Sequence, residues 1–177
     1  SMGGIISILY ANKHPEKVQR LILVNSAGLV KSSAQANALL EQSLKSNLVD
    51  MTFKMGLEQG FKALFYNKKH PLCVNMINNL KKVMNHSQDS KAFNLTLKES
   101  LKAIANNNVK NKIKNLNIPV FIVWGDKDPF LPIKYAYEFE KGIKNSKVMI
   151  IKGSGHLPML ENAEKFNQVV DFYSLFQ

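Results

Sequence analysis

Val120-Phe121-Ile122-Val123-Trp124-Gly125-Asp126-Lys127-Asp128-Pro129-Phe130-Leu131-Pro132 changes character midway. Its first five residues are apolar without a polar interruption, as a strand covered on both faces requires. Gly125 ends the run, and two aspartates between a glycine and a proline make a turn. An acid placed directly after such a strand lies at the edge where open α/β sheets hold their ligands. The pattern recurs on either side. Downstream, Val148-Met149-Ile150-Ile151 runs into Gly153-Ser154-Gly155-His156. Upstream, Val18-Gln19-Arg20-Leu21-Ile22-Leu23-Val24-Asn25 stops at Ser26-Ala27-Gly28. An amphipathic stretch over 133–143 separates the last two strands, and a helix is expected from about 163 to 176. Strands alternating with helices predict an α/β fold with a parallel sheet and right-handed crossovers.

Between the first two strands, residues 31–117 switch to helical periodicity. Ala36, Leu39, Leu40, Leu44 and Leu48 share one face, followed by Met51, Met55, Phe61, Leu64 and Phe65. Further turns run over 74–84 and 89–104, the latter with Phe93, Leu97, Leu101 and Ile104 on one side. Asp89 is expected to cap the last of these helices, and Asn106-Asn107-Asn108 to mark its end. Met51, Met55, Phe61, Phe65, Met76 and Phe93 either line an acyl-binding pocket or form the insert's own core, and helical spacing favours the core. The chain opens Ser1-Met2-Gly3-Gly4-Ile5-Ile6-Ser7-Ile8-Leu9-Tyr10-Ala11, a short buried helix that Pro15 terminates.

A chain of 177 residues, 45% hydrophobic, holds one domain with a proper core. No run is long and apolar enough to span a membrane, and the start lacks a secretory leader's pattern. Cys73 is the single cysteine, so it has no internal disulfide partner; a reducing, cytoplasmic setting is expected and Cys73 is a bystander. The net charge of +11 raises the question of nucleic acid. Yet Arg20 is the only arginine, and the lysines are scattered among asparagines with no aromatic interleaving, so no nucleic-acid partner is expected. His14, His70 and His86 read as solvated surface. No histidine pair has metal-ligand spacing with a carboxylate, so neither metal nor cofactor is expected.

Nucleophilic serine chemistry needs a histidine to take the hydroxyl proton and a carboxylate to hold that histidine's tautomer and charge. The sequence offers Ser1 at a glycine-rich helix start and His156, the one histidine that follows a strand in a glycine-flanked loop. Asp126 and Asp128 compete for the acid, and either could simply close the turn.

Ser1-Met2-Gly3-Gly4 resembles the second half of the nucleophile elbow G-x-S-x-G-G of the serine α/β-hydrolase superfamily. The stretch 124–132 resembles that family's acid loop, and Gly153-Ser154-Gly155-His156-Leu157-Pro158-Met159-Leu160-Glu161 its histidine loop. The likeness spans essentially the whole chain and keeps the order Ser, Asp, His. It implies a core formed by residues 1–30 and 118–177, with a helical cap at 31–117, and the triad Ser1, Asp128 and His156. Family spacing selects Asp128; the other acid position known in relatives falls on Asn25-Ser26-Ala27 and offers no carboxylate. The backbone N–H of Met2 is implied as one oxyanion-hole donor. A carboxylic ester or related acyl compound is the implied small-molecule substrate. The carbon–carbon bond of a dienoic diketone is the alternative, since hydrolases acting on it also carry an S-M-G-G elbow.

The family's sheet has several strands before the elbow, and its second oxyanion donor lies there too. A competing expectation is therefore an inactive remnant, or one half of a split hydrolase that needs an N-terminal partner. An N-terminal-nucleophile hydrolase is disfavoured, because that design starts a strand of an antiparallel sheet with its serine, whereas Ser1 opens a helix.

Overall fold

A computed structural model of the chain describes residues 1–29 and 48–175. The expected helical face of Ala36, Leu39, Leu40 and Leu44 lies outside the described residues, as do the side chains of Leu48, Met51 and Met55.

Three strands form one parallel sheet in the order β1 (Leu21–Val24), β2 (Val120–Gly125), β3 (Ser146–Ile151). Leu21 sits opposite Val120, and Val120 opposite Ser146, so all three strands end at one edge. Side chains alternate across β2. Val120, Ile122 and Trp124 join a core with α1 (Met2–Lys13) and α5 (Lys134–Gly142), through Ile5, Ile8, Ala136 and Phe139. Phe121 and Val123 turn to the opposite face, where Val169, Phe166 and Tyr173 of α7 (Ala163–Leu175) cover them. Every residue of β2 is buried, which is why its sequence shows no polar alternation. The Phe121 and Tyr173 rings stack at 4.3 Å, and Trp124 lies 6.2 Å from Phe139.

The helices α2 (Leu48–Ala63), α3 (Pro71–Asn85) and α4 (Ser87–Asn106) fill the connection from β1 to β2. α2 ends at Ala63, so Leu64 and Phe65, expected to be helical, form the turn beyond it. Phe65 is fully buried there and its ring stacks on His70 at 5.9 Å. His70 is consequently not solvated surface but the half-buried N-cap of α3, its Nδ1 accepting from the Leu72 N–H at 3.2 Å ahead of Pro71 at the first helical position. α3 turns Cys73, Ile77 and Leu80 inward. Asp89 does not cap α4 either. His86 holds that position, and Asp89 sits in the first turn, 3.6 Å from His86 Nδ1, where the helix dipole favours a negative charge.

Two surfaces beside the sheet carry apolar or unpaired groups. Among the described residues β1 pairs with β2 alone, and Ile6, Leu9 and Tyr10 on the outer side of α1 are exposed. No helix among the described residues is long and apolar enough to cross a membrane.

Candidate active site

The loops leaving β2 and β3 are built against each other. A Cβ on Gly125 would collide with the backbone carbonyls of Ser154 and Gly155, so only glycine lets the two chains approach this closely. Backbone bonds follow the contact: Lys127 N–H donates to Ser154 O at 2.9 Å, and Asp126 N–H to Ile151 O at 3.3 Å. Asp126 spends its side chain on the same joint, Oδ1 accepting from Gly153 N–H at 2.6 Å. Gly153 has φ +73°, which glycine tolerates without cost. The two aspartates are thereby separated in role: Asp126 braces the loops and Asp128 turns inward.

The Asp128 side chain is fully buried and all its acceptor capacity is used. Oδ1 accepts from the Phe130 and Leu131 N–H groups at 2.9 and 3.1 Å. Oδ2 accepts from Asn25 Nδ2 at 2.7 Å and lies 2.7 Å from His156 Nδ1. Burial by itself pushes this carboxyl up. The hydrogen bond and charge of His156, with those from Asn25 and Leu131, more than offset it and leave the group below its ordinary value. A carboxylate only accepts, so Nδ1 carries a proton toward it and the neutral ring keeps its lone pair on Nε2. The ring is 7% exposed, with the Phe130 ring set edge-on at 5.8 Å, and the His156 N–H is tied to Leu64 O at 2.8 Å.

Asn25, which has no carboxylate to offer as the acid, has a different part in the site. It stands at the end of β1, fully buried, at φ 41°, a left-handed conformation that asparagine tolerates better than most residues. Its Oδ1 accepts from Gly125 N–H at 3.1 Å while its Nδ2 reaches Asp128. One amide thus ties the ends of β1 and β2 together and orients the acid. The available signal was an asparagine closing an apolar strand ahead of Ser26-Ala27-Gly28.

Ser1 lies at the same edge. Its amino group donates to Val24 O at 3.3 Å, next to Asn25, and its carbonyl accepts from Gly4 at 3.0 Å and Ala27 at 3.1 Å. Gly4 seats α1 tightly, since a Cβ there would strike the Ser26 side chain; Gly3 faces open space. Met2 opens α1, so its N–H is among those that helical hydrogen bonding leaves over. The structure brings Asp128 and His156 into contact. Ser1 is exposed, and no hydrogen bond joins its Oγ to His156 among the described residues.

Residues 1–163 match the family model for the alpha/beta hydrolase fold. Lipase 3 of Moraxella sp. (strain TA144) is 28% identical over 91% of this chain and 50% of its own length. Lipase 1 of Psychrobacter immobilis is also 28% identical, over 100% of this chain and 53% of its own. The chain therefore spans about half the length of these relatives. The crystal structure of a serine hydrolase involved in carbazole degradation superposes with a TM-score of 0.69 at 27% identity, over 99% of this chain and 61% of that one. Since the matched stretch carries all three strand ends described above, the chain belongs to the alpha/beta hydrolase family.

Proposed function

We propose that the chain carries the catalytic residues of a serine hydrolase acting on carboxylic esters, with Ser1 as nucleophile, His156 as general base and acid, and Asp128 as the group that orients it. The observation that carries this reading is the buried relay from Asn25 through Asp128 to His156, which fixes the imidazole tautomer with Nε2 free to accept. In the reaction, Ser1 Oγ attacks the ester carbonyl carbon while its proton passes to His156 Nε2. Asp128 stabilises the imidazolium, and the Met2 N–H donates to the developing oxyanion. His156 then returns the proton to the leaving alcohol. Water, activated by the same imidazole, releases the acid and frees Ser1. The lipase relatives support an ester over the carbon–carbon bond of a dienoic diketone, the alternative that the S-M-G-G start keeps in view.

A second reading has its own observations. Among the described residues β1 offers an unpaired edge beside Ser1, and Ile6, Leu9 and Tyr10 expose an apolar face on the helix that Ser1 starts. A strand added along β1 would cover that edge and hold Ser1 from its other side. Full activity then needs an N-terminal partner segment.

The test is covalent labelling by a fluorophosphonate, read by intact mass and peptide mapping. An adduct on Ser1 that vanishes in His156→Ala supports the triad. A folded chain that resists labelling on its own, yet labels once an upstream segment is supplied, supports the second reading. Labelling that persists in His156→Ala would sink both.

A further inference from the structure

Glu161 ends the short helix α6 (Pro158–Glu161) that follows the histidine loop, and its carboxylate does not face solvent alone. Oε1 accepts from the Gly155 N–H at 2.6 Å. Oε2 accepts from the Tyr66 and Asn67 N–H groups at 2.8 and 3.2 Å, in the turn that follows α2. Directly alongside, the His156 N–H donates to Leu64 O at 2.8 Å. The joint is full. A Cβ on Gly155 would stand 2.7 Å from Tyr66 N, 2.8 Å from Leu64 O and 2.9 Å from Glu161 Oε1.

We propose that Glu161 is a positioning residue that locks the turn at 64–67 to the histidine loop, so that the seat of the helical insert and the orientation of His156 toward Asp128 are set together. Its catalytic consequence rests on the triad reading above. The carboxylate is required by donor count. Three N–H groups converge on two acceptor oxygens, whereas glutamine keeps one oxygen and turns an NH2 toward at least one of those donors in either amide orientation.

The test compares the wild-type chain with Glu161→Gln, and with Gly155→Ala, which crowds the same joint from the histidine loop while leaving the carboxylate chemically intact. Three quantities are read by NMR and mass: amide exchange at Tyr66, Gly155 and His156; the far-downfield imidazole proton of His156 Nδ1; and the rate at which a fluorophosphonate modifies Ser1. Exchange at the three amides should quicken at least tenfold in both variants, with the imidazole resonance broadened or lost and labelling slowed at least tenfold. Protection along β2 should stay unchanged, which shows that the fold is intact. Unchanged exchange at the joint overturns the proposal. So does faster exchange with a sharp imidazole resonance, because Glu161 would then tie the turn down without positioning His156. If the wild-type chain is not labelled at Ser1 either alone or with an upstream segment supplied, the nucleophile reading fails, while the amide and imidazole signals still decide on Glu161.

Discussion

The acid and histidine loops are over-determined, whereas the serine's corner is held by few bonds. The Asp128 carboxylate has four hydrogen-bonding neighbours, and the loops on either side of it share backbone bonds, a braced aspartate and a glycine contact. Among the described residues Ser1 has backbone bonds only, and its side chain makes no capping bond to the helix it starts. The difference teaches where the chemistry is stored. The Asp128–His156 pair is assembled by packing between β1, β2 and β3 within this chain, while Ser1 sits beside the outer edge of β1.

The largest effect expected from breaking the braced half is in Asp128→Asn. An amide must turn its NH2 either toward the Phe130 and Leu131 donors or toward Asn25 and His156, so a donor meets a donor whichever way it lies. Loss of the correct imidazole tautomer should lower the rate of Ser1 labelling on the order of 10⁴-fold. A loss below about tenfold, with the variant folded, would mean that the relay does not serve Ser1.

Two glycine substitutions compare the regions directly. Gly125→Ala drives a methyl into the carbonyls of Ser154 and Gly155, backbone atoms that cannot rotate away. It should cost about 1–3 kcal/mol in urea unfolding. Gly3→Ala meets open space on a helix and should leave stability unchanged or raise it by about 0.5–1 kcal/mol. Equal costs at the two sites would erase the contrast between a packed and an open corner.

Asn25→Gly sharpens the comparison, because glycine keeps the φ of 41° while deleting the amide. Asp128 loses one donor and the Gly125 N–H loses its acceptor, but His156 stays in place. One hydrogen bond to a charged group is worth about 1.5–3 kcal/mol, so labelling should fall roughly ten- to a hundredfold, well short of the effect at Asp128.

These residues also show what the sequence made legible. The strands were readable because a two-faced parallel strand must be continuously apolar, and residues 120–125 contain nothing else. Asp128 and His156 stood out because each follows such a strand. Asn25 did not, since an untitratable side chain acquires a role only through what faces it, and its partners lie 100 and 103 positions away. Glu161 carries no task legible in its motif for the same reason: its partners Tyr66 and Asn67 are 95 and 94 positions upstream. Asp89 lies in the first turn rather than at the cap because an aspartate suits both places, and only the backbone tells them apart.

The smallest expected effect is on acid stability. The folded Asp128 pKa lies below its unfolded value, so its contribution is fully present above about pH 4 and is lost as pH falls through the folded pKa. The depression is a remainder, because burial raises the carboxyl while His156, Asn25 and Leu131 lower it. Removing Asn25 subtracts from the lowering side alone. Asn25→Gly should therefore move the acid unfolding midpoint of the chain upward, read by far-UV circular dichroism against pH, whereas Gly3→Ala should not move it. A downward shift in Asn25→Gly would mean that burial is relieved faster than the hydrogen bond is lost, and that the end of β1 is held as loosely as the serine beside it.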